Sequence, residues 1–247
     1  MAGFRFFFTE LIQETEVLAT LSKRFFELDS RTRILPSFLS KLQSIRGKPE
    51  KSFHSLQLHC LRTIPSDQYD RNPGKEIYAV ISGIWELQLW GKHSAPKRQI
   101  EFCGKASTKI ELYASDNPEP LAMWRLELGA EDSPGCYVHA HILGESADPP
   151  FPKWVPIPRL PSIFITPMSA IEFVLGELFQ HDWAQVVASD NDNVNRWRNI
   201  QTDRLQKLFS WYKDQIDNAG SSSPWIALKQ AKPKSDIFLP KSRRRRS

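Results

Sequence analysis

Apolar residues recur at helical spacing near both ends of the chain. Residues 4–28 predict a first helix, and a second, shorter one is predicted over Leu35–Ile45. Thr166 is predicted to cap a third helix that ends near Ser189, and a last helix is predicted over Val194–Asp217. These helices flank a middle region that has a different period.

Short strands fill this middle region. A strand is predicted near residues 55–62, followed by a long one over 77–90 in which apolar and polar residues alternate in the second half. Four shorter strands follow, at residues 99–102, 109–114, 121–128 and 136–143. Tight polar turns between such strands are typical of antiparallel pairing. The sequence therefore predicts an α+β fold, in which an antiparallel β-meander of five to six strands is flanked by N-terminal helices and two C-terminal helices.

The last two predicted strands form a hairpin around the loop 129–135. If Leu128 lies opposite Cys136, the side chains that share their face are all apolar, as a half-buried sheet requires. The opposite face then holds three cross-strand pairs, which are Glu127 with Tyr137, Arg125 with His139, and Met123 with His141. Tyr113 of the preceding strand adds to this polar face.

A proline-rich stretch, residues 144–167, follows the hairpin and should run extended, packed along the domain, because proline disfavours helices and central strands. Residues 1–47 are predicted as a helical segment that packs with an α+β body, residues 48–218, as one domain. Residues 219–247 hold eight basic residues and one acidic residue, whereas the rest of the chain is near neutral. They are predicted as a flexible basic tail whose candidate nucleic-acid contacts are Arg243, Arg244, Arg245 and Arg246.

Cysteine spacing and hydropathy indicate the compartment. Cys60, Cys103 and Cys136 form no CxxC pair, which argues against a disulfide framework or zinc knuckle and fits a reducing environment. No apolar run approaches the ~18–20 residues that a membrane helix needs. We expect a soluble, cytoplasmic protein that has no membrane contact. Standard nucleotide-binding and hydrolase motifs are absent from the sequence, so it predicts no cofactor.

His139 and His141 support several interpretations beside that of a solvated sheet face. Two histidines two residues apart on a strand share a face, and such a pair is a common partial metal-ligand set. A third ligand would have to come from elsewhere in the chain, with the candidates Glu145, Asp148, His54, His59 and His181. A further interpretation is a binding platform built from Arg125, Tyr113, Tyr137, His139 and Trp90, with Glu127 and His141 as further binding candidates on the same face. Glu111 and Glu127 would repel phosphates, so a protein or small ligand fits this platform better than a nucleic acid.

The segment from Tyr137 to Gly144, in which His139 and His141 alternate with apolar residues, resembles the motif of the histidine-triad nucleotide hydrolases. Tyr137 stands where that family has its first histidine. The resemblance implies that His139 attacks the α-phosphate of a nucleotide.

The sequence contains no complete catalytic set. It therefore favours a non-enzymatic binding or accessory subunit that acts with a protein partner in a complex, with the basic tail as a candidate nucleic-acid contact. The alternative is an enzyme, either a histidine-triad-like nucleotide hydrolase or a metal-dependent hydrolase, that uses His139 and His141 together with Tyr137.

Overall fold

One antiparallel sheet organises the protein. The computed structural model describes residues 3–68, 75–91, 98–129, 135–144 and 159–239. Within these ranges the strands are β1 (Arg5–Phe7), β2 (Phe53–Arg62), β3 (Ile77–Trp90), β4 (Gln99–Ala114), β5 (Pro120–Leu128), β6 (Val138–Gly144) and β7 (Leu160–Pro161). Strands β2 to β7 are neighbours in chain order, and β1 pairs with the first part of β4. The predicted α+β class and antiparallel meander are confirmed.

Helices cover one face of this sheet. They are α1 (Phe8–Leu21), α2 (Leu35–Ile45), α3 (Pro167–Leu178), α4 (Gln180–Ala188), α5 (Asp192–Asp217) and α6 (Pro224–Gln230). Buried side chains of the sheet and of the helices form one apolar cluster between the two layers. Among the helices described, none is both long and apolar enough to cross a membrane.

The N-terminal helix begins later than predicted. Phe4, Phe6 and Phe8 are each fully buried, a spacing of two residues that suits a strand better than a helix. Residues Arg5–Phe7 accordingly pair with β4, and the helix runs from Phe8 to Leu21. The prediction of a single helix over 4–28 was wrong at both ends, whereas the second helix, Leu35–Ile45, is confirmed.

Strand β4 joins two segments that were predicted as separate strands. Gly104, with φ near 66°, lies in its middle, where an ordinary side chain would be strained. There the strand carries an irregularity opposite Glu86, whose carboxylate accepts a hydrogen bond from the Lys105 N–H (2.8 Å). The glycine thus introduces a bulge in one long strand.

The C-terminal half confirms one helix cap and corrects two boundaries. Thr166 caps α3, because its hydroxyl accepts the Ser169 N–H. The helix predicted to reach Ser189 is interrupted at Phe179 and resumes as α4. The predicted last helix is confirmed as α5.

The segment predicted as a flexible tail is ordered over most of its length. Ser223 caps α6, and Phe238 is 2% exposed and stacks on Phe6 at a centroid distance of 4.8 Å. The tail prediction missed this because one aromatic residue, Phe238, anchors a segment whose composition is otherwise polar and basic. Residues 240–247, which include the four candidate arginines Arg243, Arg244, Arg245 and Arg246, lie outside the described residues.

Candidate metal site on the polar sheet face

Strands β5 and β6 pair in a register that differs by two residues from the predicted one. Leu128 lies opposite Val138, and Leu126 lies opposite Ala140. On the other face, Glu127 pairs with His139. A slip of two residues keeps every side chain on its face, so the apolar pattern fits both registers equally well.

The observed register aligns two rows of side chains across the polar face. One row runs from β3 to β6 through Ser82, Lys109, Arg125 and His141. The next row runs through Ile84, Ser107, Glu127 and His139. Neighbouring strands lie ~4.8 Å apart, so adjacent members of a row are within side-chain reach.

Three potential metal ligands meet where these rows reach β6. Glu127, His139 and His141, which we call the E-H-H cluster, each offer one ligand atom, and these atoms lie within 4.8 Å of one another. Glu127 Oε2 is 3.5 Å from His139 Nε2 and 3.3 Å from His141 Nε2. Ligand atoms around a tetrahedral zinc ion lie ~3.3 Å apart, given zinc–ligand bonds of ~2.0–2.1 Å. Both separations from Glu127 are close to this value.

The His139 ring is oriented by the backbone. Its Nδ1 lies 3.4 Å from the Tyr137 carbonyl oxygen, a contact that can be a hydrogen bond only if Nδ1 carries the proton. Its Nε2 lies 3.5 Å from Glu127 Oε2, at the outer limit of a hydrogen bond, and makes no shorter polar contact. Backbone anchoring of the distal ring nitrogen is also the usual arrangement for a metal-ligating histidine.

The E-H-H cluster is shielded from solvent, which corrects the interpretation of a solvated sheet face. The His139 side chain is 2% exposed, and that of His141 is 12% exposed. Burial and then the neighbouring His139 lower the pKa of His141, and the charge of Glu127 opposes them. Burial would raise the pKa of Glu127, but polar contacts with His139 and Ser107 and the charge of Arg125 outweigh it and lower that pKa to about 2.

Tyr137 does not belong to this site. Although the sequence placed it on the histidine face, it precedes β6 and its side chain is 5% exposed in the core, with its ring 4.9 Å from that of Phe4. The position that corresponds to the first histidine of the histidine-triad motif is therefore turned away from His139 and His141. The chain turns here because a large aromatic side chain gains more from burial in the apolar cluster than from the polar face.

The other candidate residues lie apart from the E-H-H cluster. Tyr113 stacks on Tyr78 at a centroid distance of 5.3 Å, and Trp90 lies under the Arg5 guanidinium at 3.8 Å. The five suggested third ligands also lie elsewhere or cannot be placed. His54 contacts Ser52, His181 contacts Gln185, and His59 lies on β2. Glu145 and Asp148 lie outside the described residues.

Glu127 is the ligand candidate that the sequence did not identify. It was placed on the correct face, but opposite Tyr137 and therefore too far along the strand to meet both histidines. No signal in the hairpin sequence separates the two registers, because a slip of two residues leaves its apolar pattern unchanged.

Comparison of the chain with models of known protein families, with curated proteins and with solved structures finds no match.

Proposed function

We propose that the protein binds a divalent transition-metal ion, with zinc as the best fit, through Glu127, His139 and His141. The observation that carries the proposal is the convergence of three ligand atoms within 4.8 Å, one of them a buried imidazole nitrogen without a hydrogen-bond partner. Two histidines and one glutamate are a known ligand set of catalytic zinc sites, which keep a fourth position open. A metal held by these three residues would supply the Lewis acidity that activates a bound water, which is the chemistry of the metal-dependent hydrolase alternative.

The surroundings of the E-H-H cluster support a metal rather than a simple ion pair. The Arg125 guanidinium approaches the Glu127 carboxylate only to 3.8 Å, which is longer than a charge-assisted hydrogen bond. His139 is anchored through the Tyr137 carbonyl, and Glu127 has a polar contact with Ser107. Such contacts hold the ligands in place before a metal arrives.

Metal binding is testable by calorimetric titration of the metal-free protein with Zn²⁺, together with metal analysis of the protein as purified. We expect one ion per chain, and Glu127→Gln should weaken binding at least about tenfold because it removes an anionic ligand and its charge. The Glu127→Gln change keeps the side-chain size, so the fold should be retained.

Glu111→Gln is the matched control, since Glu111 lies on the same polar face of the sheet and contacts Lys109 (2.7 Å) rather than the histidines. Equal zinc affinity in the Glu127→Gln, Glu111→Gln and unmodified proteins would refute the proposal. A His141→Ala variant provides an independent check, because this side chain is less buried than that of His139.

A second proposal is that the protein acts as an accessory subunit within a protein complex. Three large apolar side chains of the C-terminal helices support it: Trp225 is 70% exposed, Phe209 53% and Ile216 40%. Affinity purification from the host should recover a stoichiometric partner that is lost with Trp225→Gln. Recovery of the protein alone, or of the same partner with the variant, would refute this role.

A further inference from the structure

A groove lies on the polar sheet face beside the E-H-H cluster. Its volume is about 300 Å³, and strands β2 to β5 form its floor. The polar side chains that line it include Gln57, His59, Lys105, Ser107, Lys109 and Arg125. This volume is at the lower end of the range for small-molecule sites in proteins.

The strand register places the cations of the groove next to the E-H-H cluster. Arg125 is the cross-strand neighbour of both Lys109 and His141, so the three residues follow one another along one row. Ser107 is in turn the neighbour of Glu127 in the adjacent row. From Lys109 to His141 the row crosses two strand intervals, so their backbones are ~10 Å apart. The long side chains of Lys109 and Arg125 can bring their charged groups closer to the E-H-H cluster than this backbone separation.

The groove favours anions. None of the described residues that line it is acidic, whereas Lys105, Lys109 and Arg125 are basic. The Lys109 side chain is 34% exposed and that of Arg125 42% exposed, so both can reach a ligand. Carboxylates at the edge of the groove offset this charge. Glu111 contacts Lys109 at 2.7 Å, Glu127 is 3.8 Å from Arg125, and Glu86 accepts the backbone N–H of Lys105.

A metal ion at the E-H-H cluster changes this balance. Its two positive charges exceed the single negative charge of Glu127, so the loosely paired Arg125 becomes available to another anion. Metal and anion should therefore bind cooperatively, and by linkage each must raise the affinity of the other by the same factor.

We propose that the groove binds the phosphate group of a small phosphate monoester, with one phosphate oxygen on the metal and the others on Arg125 and Lys109. The proposal rests on the proposed metal-binding function. A phosphate monoester has three terminal oxygens and two negative charges, which match three cationic positions, and an arginine fork suits its geometry. A carboxylate has only two oxygens and one charge, so it would leave one of these positions unpaired.

The probe is phenyl phosphate, titrated into the protein with Co²⁺ in place of Zn²⁺, because an oxygen that joins the coordination sphere changes the visible spectrum of Co²⁺. We expect a saturable spectral change, and calorimetry should show phenyl phosphate binding at least about fivefold tighter with the metal than without it. Lys109→Gln should weaken binding about tenfold through the loss of one charge-assisted hydrogen bond. Phenyl sulfate, which has the same shape and one charge fewer, should bind more weakly than phenyl phosphate.

Lys213→Gln is the matched control, since Lys213 is also an exposed lysine paired with a carboxylate, that of Asp217, but lies on α5 away from the sheet. It should leave phenyl phosphate affinity unchanged. Because Lys109 is not in the E-H-H cluster, its variant should bind Co²⁺ normally in the absence of phosphate.

The two proposals fail in different ways. If the unmodified protein binds no metal, the proposed function is refuted. If metal binds but phenyl phosphate causes no spectral change, or binds equally well to the Lys109→Gln variant, the metal site stands and the phosphate site is refuted. Equal affinity for phenyl phosphate with and without metal would also overturn the phosphate proposal, because it removes the predicted linkage.

Discussion

Breaking the buried ion pair between Glu14 and Arg204 by removing one partner is expected to destabilise the helical layer strongly. Glu14 on α1 is completely buried, and Arg204 on α5 is 4% exposed and contacts its carboxylate directly. The same carboxylate oxygen accepts hydrogen bonds from the Thr166 hydroxyl (2.7 Å) and from the Gln201 amide (2.9 Å). One carboxylate therefore joins α1, the N-cap of α3, and α5.

The cost of breaking this pair follows from its burial. Arg204→Met leaves the Glu14 charge in the interior with only two neutral donors, so we expect the free energy of unfolding to fall by about 3–5 kcal/mol. Glu14→Gln leaves the Arg204 guanidinium, which lies 5.0 Å over the Phe6 ring, without its counter-charge. The double variant removes both charges, so its cost should be smaller than the sum of the single costs by about 1–3 kcal/mol.

Urea unfolding followed by circular dichroism and by tryptophan fluorescence measures these differences. Arg33→Met is the control, because Arg33 forms an exposed ion pair with Asp29. The Arg33 side chain is 76% exposed and the Asp29 side chain 55% exposed, so loss of this pair should not change the free energy of unfolding measurably. If Arg204→Met costs no more than Arg33→Met, or if the single costs simply add in the double variant, burial does not make the loss of one partner of this pair costly.

Two further predictions concern buried titratable groups. Burial, together with the charges of Glu101 and Glu86, raises the pKa of the Cys103 thiol to about 11, whereas Cys60 is exposed. Iodoacetamide should therefore alkylate Cys60 well before Cys103 in the folded protein, and peptide mass spectrometry that finds equal rates would contradict this. Burial also raises the pKa of Glu172, although the Trp197 indole N–H donates to its carboxylate (2.6 Å) and lowers it. Because the pKa of Glu172 is higher in the folded than in the unfolded protein, the unmodified protein loses stability as the pH rises from the ordinary carboxyl pKa of about 4 through the raised folded pKa. Glu172→Gln should therefore gain stability relative to the unmodified protein as the pH rises above about 4. A stability difference that stays constant with pH in urea unfolding would rule this out.

Local pattern was sufficient for most of the fold. The change from helical spacing to alternation located the sheet, and Thr166 followed by Pro167 marked the start of α3. Prediction from the hydrophobic pattern was wrong where a strand period of two residues runs directly into a helical period. This happens at Phe4, Phe6 and Phe8, whose alternation was hidden by the helix that follows. The pattern also failed at Phe238, because docking on Phe6 is a contact between opposite ends of the chain.

The candidate site shows the same division. The sequence by itself determined that Glu127, His139 and His141 share one face of the hairpin, because alternation in a strand assigns faces without reference to a partner. Only the tertiary structure decided that Glu127 lies opposite His139, that Tyr137 turns into the core, and that His139 is buried. Faces repeat every two residues, so a hairpin can slip by two without exposing an apolar side chain, and the packing of Tyr137 against Phe4 is a three-dimensional contact that distinguishes the two registers.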